Sequence, residues 1–89
     1  MEDRIIFAEE AKIEFHKAKC YFEMTEKEEA FWNDVNRQMD LLELMPFAFQ
    51  IRYKNVRIIH LERFNFSIHY VIKDYGVLIY RFLNKRQDY

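Results

Sequence analysis

The sequence predicts an α+β fold of order β-α-α-β-β-β, in which an N-terminal strand and a helical hairpin pack on one face of an antiparallel sheet. Apolar residues recur at spacings of three and four through the first half of the chain, and the period changes to two after Pro46. With 89 residues, 51% hydrophobic and 18% aromatic, the chain can bury one core. We therefore expect residues 1–89 to form a single domain.

The N-terminal elements are predicted from a β-branched segment followed by an apolar stripe. The segment "RIIF", residues 4–7, favours a short strand. A stripe at helical spacing then predicts the first helix, and it consists of Ala8, Ala11, Phe15, Ala18 and Phe22. Its small alanines permit close packing against the rest of the core.

The second helix is predicted to begin at a capping box formed by Thr25 and Glu28, and to end before Pro46. Its inward stripe consists of Phe31, Val35, Met39 and Leu42. The short connection between the stripes predicts two antiparallel helices.

Strand candidates fill the rest of the chain: "FQIRY", "VRIIHL", "FNFSIHYVI" and "VLIYRFL" all alternate with a period of two. The stretch "KDYGV" fits a three-residue hairpin loop, Asp74 to Gly76, with Lys73 facing Val77. This register directs one set of residues toward the helices, namely Ile68, Tyr70, Ile72, Leu78, Tyr80 and Phe82.

The same register predicts an interaction surface on the other side of the sheet. If Leu61 lies opposite Phe66, the preceding strand adds two residues to that side. The predicted surface carries Ile58, His60, Ser67, His69, Val71, Ile79 and Arg81. Apolar residues beside a few polar ones on an uncovered sheet are typical of binding surfaces.

Charge is distributed unevenly along the chain. Residues 1–46 hold 6 basic and 12 acidic side chains, whereas residues 47–89 hold 8 basic and 3 acidic ones. The sheet half is therefore positive, which suits an acidic partner, while the pI near 6.3 argues against strong non-specific binding to nucleic acid.

Several classes of site are excluded by residue type. Cys20 is the only cysteine, so no internal disulfide or cysteine-based zinc site forms, and the chain suits a reducing cytoplasm. His16, His60 and His69 lack the spacing of metal ligands, and one glycine, Gly76, cannot build a phosphate-binding loop. We expect no metal, no cofactor, no signal peptide and no membrane segment.

Three motifs support a resemblance: the Val56-Arg57 pair, the alternation Phe64-x-Phe66-x-Ile68-x-Tyr70, and the ending Arg81-x-x-Asn84-Lys85-Arg86-x-Asp88. With these motifs the chain resembles the RelE/ParE toxin superfamily of bacterial type II toxin-antitoxin systems. It is most similar to the ParE-like branch, often labelled plasmid stabilisation proteins, whose corresponding run reads F-P-Y-x-I-x-Y. The chain departs from that branch at Asn65, where proline is usual, and at Asn84, where histidine is common.

The resemblance implies a toxin that binds an essential target, DNA gyrase in the ParE branch, and forms a hetero-oligomer with a cognate antitoxin. Lys85, Arg86 and Arg57 join the predicted surface as candidate contacts with target or antitoxin. Strict alternation turns Arg57 toward the helices, so it either extends outward at the sheet rim or is re-aimed by a bulge.

The RelE branch implies the alternative function, a ribosome-dependent endonuclease acting on messenger RNA. That branch has an arginine three residues before the strand tyrosine, where this chain has Ser67. A serine cannot supply charge-assisted donors to the phosphate, so a binding toxin is favoured over an enzyme. The remaining catalytic candidates are His60, His69, Arg86 and Tyr89. The two histidines are candidates because histidine titrates near neutrality, and Arg86 and Tyr89 because they lie close in sequence to the end of the predicted surface.

Overall fold

A computed structural model describes residues 4–85 of the chain. The elements are the strand β1 (Arg4–Phe7), the helices α1 (Glu9–Met24) and α2 (Glu28–Leu44), a 3-10 turn (Pro46–Ala48), and the strands β2 (Ile51–Tyr53), β3 (Val56–His60), β4 (Phe66–Lys73) and β5 (Gly76–Asn84). The predicted α+β class is confirmed. Four strands follow the helices, one for each of the four strand candidates and one more than in the predicted order β-α-α-β-β-β; β2 lies within the candidate "FQIRY".

The sheet is mixed rather than antiparallel throughout, and β1 is one of its strands rather than an element packed on its face as predicted; the strand order is β1-β5-β4-β3-β2. The meander from β2 to β5 is antiparallel, while β1 lies parallel to the first half of β5, pairing Phe7 with Ile79. At that point the chain turns into α1, and the backbone N–H of Ala8 donates to the carbonyl of Ile79. The second half of β5 therefore extends past the end of β1.

One core lies between the helical hairpin and one face of the sheet. Both predicted helical stripes point into it, apart from Ala8, which precedes α1 and lies outside the core, and Met39 is half-buried at the margin. The sheet contributes Ile59, Leu61, Ile68, Tyr70, Val77, Ile79 and Phe82. Aromatic rings meet at its centre, where the rings of Phe15 and Phe82 stack at 4.0 Å. Packing of this kind supplies large apolar area to a small domain.

The turn between the helices corrects the prediction of a capping box. Thr25 caps the end of α1, its hydroxyl donating to the carbonyl of Phe22, and Lys27, the N-cap residue of α2, makes no side-chain capping hydrogen bond. The N–H groups of Glu26 and Lys27 donate to the carbonyls of Glu23 and Phe22, with Glu26 at a φ of 60°. This is a Schellman motif, which satisfies the carbonyls at the end of α1. The predicted stop before Pro46 is confirmed.

The β4–β5 hairpin also differs from the prediction. Its loop has two residues, Asp74 and Tyr75, and Lys73 pairs with Gly76, whose φ of 136° a residue with a Cβ would not adopt readily. The predicted three-residue loop is wrong, and the first half of β5 is shifted by one residue. The register then changes opposite His69 and Tyr70, leaving Tyr80 as an extra residue in β5.

Candidate binding surface

The sheet face opposite the helices is called the open face below. The strand registers place on it Tyr53, Val56, Ile58, His60, Ser67, His69, Val71, Leu78, Arg81 and Leu83. Its two buried apolar residues, Val56 and Ile58, lie outside the cluster that forms the main core. This separation agrees with side chains that alternate between the two faces of a strand.

The β3 and β4 part of the open face was predicted correctly. His60 pairs with Ser67 and Ile58 with His69, and the N–H of Leu61 donates to the carbonyl of Phe66. These residues share a face because the connection keeps the expected register. Their role in binding stays a prediction.

Ile79 does not lie on the open face, and its predicted place there is wrong. Its side chain is fully buried in the main core, together with that of Val77. Leu78, predicted to face the helices, is half-buried on the open face opposite Val71. The cause is the two-residue hairpin loop, since a shift of one residue exchanges the two faces of a strand. Tyr80, also predicted to face inward, is the exposed extra residue.

The centre of the open face is polar and buried. Ser67 and His69 are both 0% exposed, although the prediction left them on an uncovered surface. The Oη of Tyr53 is hydrogen bonded to Nδ1 of His69 at 2.9 Å. Burial and the positive charge of Arg81 lower the pKa of His69 to about 4, so its imidazole is neutral at pH 7. A buried neutral histidine fits a packing role better than proton transfer with an exposed substrate.

His60 is the exposed histidine of this face. Its Nδ1 is hydrogen bonded to Oγ of Ser67 at 2.6 Å, which fixes the ring against the sheet. Partial burial and the charges of Lys85 and Arg52 lower the pKa of His60, so the neutral form predominates at pH 7. Lys85 is held nearby, because its Nζ donates to the carbonyl of Leu61 at 3.2 Å.

Arg81 pairs with His69 in the sheet, but its guanidinium contacts α1. The Nε donates to the carboxylate of Glu14 at 3.0 and 3.2 Å, and a terminal nitrogen donates to it at 2.5 Å. The N–H of Phe82 donates to the same carboxylate at 2.9 Å. Glu14 thus occupies the β5 edge just past the end of β1, and its charge and hydrogen bonds raise the pKa of Arg81. The cation of Arg81 is neutralised at that edge.

Arg57 lies on the helix side of the sheet and extends outward at its rim, which is the first of the two predicted placements. Its guanidinium donates to the carbonyl of Phe49 at 2.6 Å and lies 5.3 Å from the ring centre of Phe47. These contacts hold the segment between α2 and β2. The candidates Arg86 and Tyr89 lie outside the described residues.

Sequence reasoning missed a buried carboxylate on α2. Asp34, 4% exposed, accepts the backbone N–H groups of Glu62 and Arg63 at 3.1 and 2.7 Å, and so anchors the β3–β4 connection. Gln38, one turn later and also buried, donates to Glu62 at 3.1 Å. The signal was present, because Asp34 lies three residues after Phe31 on the inward arc of the helix.

The described residues lack features of two other site classes. Within residues 4–85, His, Cys, Asp and Glu side chains form no group of three or more that is placed to hold a metal ion. Neither of the two helices of this region is long and apolar enough to cross a membrane.

Comparison with known proteins gives a structural likeness only. No family model and no curated protein matches the chain. Seven chains of solved structures match it, and one belongs to a structure described as "Chromosomal ParDE TA system from P. aeruginosa". That chain is 19% identical, with a TM-score of 0.76 over 92% of this chain and 95% of its own length. The protein therefore has a ParE-like α+β fold.

Proposed function

We propose that this protein is the toxin of a bacterial type II toxin-antitoxin system, which inhibits growth by binding an essential target and is neutralised by a cognate antitoxin. The observation that carries the proposal is the likeness, over 92% of the chain, to a chain of a ParDE TA system. Since one fold can host many functions, a toxin also needs a surface suited to binding its target.

The open face supplies such a surface. Val71, Leu78 and Leu83 are half-buried on it, and Ile6, which pairs with Leu78, is 41% exposed. The polar centre is neutral at pH 7, and the nearby cation of Arg81 is compensated by Glu14. The cores of protein interfaces are likewise apolar and depleted of charge. The open face is thus better suited to a protein surface than to a polyanion.

The target that the ParE-like resemblance favours is DNA gyrase. Binding would then arrest DNA replication, and the protein would act in the cytoplasm within a complex that the antitoxin keeps inactive. The positive sheet half, with 8 basic and 3 acidic residues, favours an acidic partner segment.

Controlled expression in a bacterial host tests this function. We expect the unmodified protein to arrest growth, and co-expression of the protein encoded beside it to restore growth. Leu78→Lys places a charge on the open face and is expected to abolish the arrest while the protein stays folded. Ile13→Lys is the matched control, because Ile13 is 50% exposed on α1, away from that face. Normal growth with the unmodified protein would refute the proposal.

A second candidate function, cleavage of messenger RNA on the ribosome, rests on the surroundings of His60. Its neutral imidazole is able to accept the proton of an RNA 2′-hydroxyl, and Lys85 and Arg52 are the cations near enough to lower its pKa. Such a reaction also needs fixed positive charge at the phosphate, and Ser67 provides none. The binding function is therefore favoured.

Primer extension on messages from induced cells separates the two functions. The binding toxin leaves messages intact. Cleavage within codons that disappears in His60→Ala would instead establish the nuclease.

A further inference from the structure

An exposed phenylalanine projects from the 3-10 turn between α2 and β2. Phe47 is 70% exposed, and Leu44 and Met45, just before it in the chain, are 76% and 45% exposed. Ile51 of β2, 46% exposed, pairs with Arg57, whose guanidinium lies 5.3 Å from the ring centre of Phe47. The four apolar side chains are called the Phe47 patch below. Exposed apolar residues that cluster in this way are typical of interaction sites.

The turn that carries Phe47 is held in place by hydrogen bonds on both sides of it. The phenol of Tyr70 donates to the carbonyl of Pro46 at 2.6 Å, and the guanidinium of Arg57 donates to the carbonyl of Phe49 at 2.6 Å. A fixed backbone therefore presents the ring, and little conformational entropy is lost when a partner buries it.

A cavity of about 270 Å³ opens directly beside this ring. Phe47 forms one of its walls, and the other apolar walls are Ile5, Pro46, Ile72 and Val77. The cavity is smaller than the roughly 300–1,000 Å³ of most ligand pockets, so it suits a single side chain better than a cofactor. The molecule thus carries a protruding apolar ring and an apolar cavity side by side.

The cavity is acidic, whereas the ring is accompanied by a cation. Three exposed charged residues line the cavity, namely Glu43, Lys73 and Asp74. Within residues 4–85, neither Glu43 nor Asp74 forms an ion pair, and the guanidinium of Arg57 has no carboxylate partner. An occupant that inserts an apolar ring with a cation beside it would match this cavity in shape and in charge.

A second copy of this chain has both of these features. In a two-fold dimer the same surface meets itself, so each Phe47 ring would face the cavity of the other protomer and bring Arg57 toward its carboxylates. Other occupants match less well. An anionic membrane surface or an acidic protein segment would be repelled by Glu43 and Asp74, which have no compensating partner among the described residues.

We propose that the Phe47 patch is the interface of a two-fold homodimer, in which the Phe47 ring of each protomer occupies the cavity of its partner. No residue of the open face belongs to the patch or lines the cavity. Dimerisation therefore goes beyond the proposed function and does not use the surface assigned to the target.

Sedimentation equilibrium of the purified full chain tests this interface. A reducing agent is present throughout, so that the exposed Cys20 cannot link two chains through a disulfide. The measured mass is expected to rise toward twice the 11.2 kDa of one chain as the protein concentration increases. Four apolar side chains form less than the standard interface of about 1,600 Å², so a micromolar dissociation constant is expected.

Three variants locate the interface. Phe47→Glu is expected to abolish dimerisation, because a carboxylate would enter an acidic cavity, whereas Phe47→Leu should retain part of the affinity. Glu43→Lys should weaken the dimer about tenfold or more, since the charge is reversed at two symmetry-related positions. Met24→Glu is the matched control, because Met24 is 84% exposed at the end of α1, outside the patch, and should leave the affinity unchanged.

The fluorescence of Trp32 verifies that each variant is folded. Glu43 is exposed, so Glu43→Lys keeps the test decisive even where Phe47→Glu does not fold. Four outcomes would overturn the inference: a monomer at all concentrations up to the millimolar range, an unchanged dimer in Phe47→Glu and Glu43→Lys, equal weakening by Met24→Glu, and loss of the dimer in Leu78→Lys, which would assign association to the open face. Self-association is measured on the purified protein and growth arrest in cells, so this inference and the proposed function can fail separately.

Discussion

Glu14 joins α1 to the edge of β5, and its removal makes the most informative stability prediction. In Glu14→Ala, the charge-assisted hydrogen bonds from Arg81 are lost and the N–H of Phe82 is left without its acceptor. The side chains of Arg81 and Glu14 are 32% and 19% exposed, so solvent screens the pair only in part.

The expected loss of unfolding free energy combines two terms. A hydrogen bond to a charged group contributes about 1.5–3 kcal/mol when buried, and partial exposure reduces this toward about 1 kcal/mol. The orphaned N–H of Phe82 adds about 1–3 kcal/mol, less where water replaces the carboxylate. We therefore expect Glu14→Ala to destabilise the protein by about 2–4 kcal/mol, or roughly 10–25 °C in Tm for a domain of this size.

Urea unfolding followed by the fluorescence of Trp32, the only tryptophan, measures this change. Glu10→Ala is the matched control on the same helix, since Glu10 is 70% exposed and 3.7 Å from Arg81. Its loss should stay below about 1 kcal/mol. Glu14→Gln keeps an acceptor for the N–H of Phe82 and should fall between the two. Equal destabilisation by Glu14→Ala and Glu10→Ala would refute the role assigned to Glu14.

Three further predictions concern buried polar groups. The pKa of His69 is lower in the folded protein than in the unfolded chain, so the unfolded chain binds the proton more tightly. The contribution of His69 to the unfolding free energy is therefore full above pH 6.5 and falls by about 3 kcal/mol toward pH 4. In His69→Gln the unfolding free energy should fall less steeply with acid, and an identical pH dependence in both proteins would contradict the assignment. Asp34→Ala should lower the unfolding free energy by about 2–4 kcal/mol, because two backbone N–H groups lose their acceptor. The control Asp40→Ala, at an exposed position, should lower it by under about 0.5 kcal/mol. Chemical denaturation of both variants measures the difference, and equal losses would contradict the anchoring role of Asp34. Tyr70→Phe should cost about 1–2 kcal/mol, because the phenol donates to the carbonyl of Pro46 at 2.6 Å; an unchanged denaturation midpoint would show that this bond is dispensable.

The helices were predictable because their patterns repeat. Apolar stripes and the proline stop depend on local spacing, and the structure follows them closely. The capping box was wrong because Thr25 has two helix ends within reach, and the carbonyl of Phe22 captures its hydroxyl. Local sequence does not decide between such competing partners.

The strand register was predictable only where the connection between two strands was compatible with a single pairing. Between β3 and β4 the expected pairing of His60 with Ser67 holds, whereas one residue too many was assigned to the β4–β5 loop. A glycine suits both a three-residue loop and the first strand position after a two-residue turn, so "KDYGV" fits either. The extra residue Tyr80 then restores the predicted pairing of His69 with Arg81.

The electrostatics of the site could not be predicted from the sequence. Glu14 and Arg81 are 67 positions apart in the sequence. Their contact depends on how α1 packs against the part of β5 that extends past the end of β1. The prediction placed Arg81 on the open face as a candidate contact and did not anticipate its pairing with Glu14. Its neutralisation by Glu14 lowers the positive charge available for a phosphate and favours a protein-binding face.

Pulse labelling of induced cells tests the central claim, a toxin that binds a replication target, most directly. Labelled thymidine and labelled methionine are followed from the moment of induction, with Leu78→Lys as the inactive control. The binding toxin predicts that thymidine incorporation falls first while methionine incorporation continues. A prompt loss of methionine incorporation with DNA synthesis initially intact would contradict it.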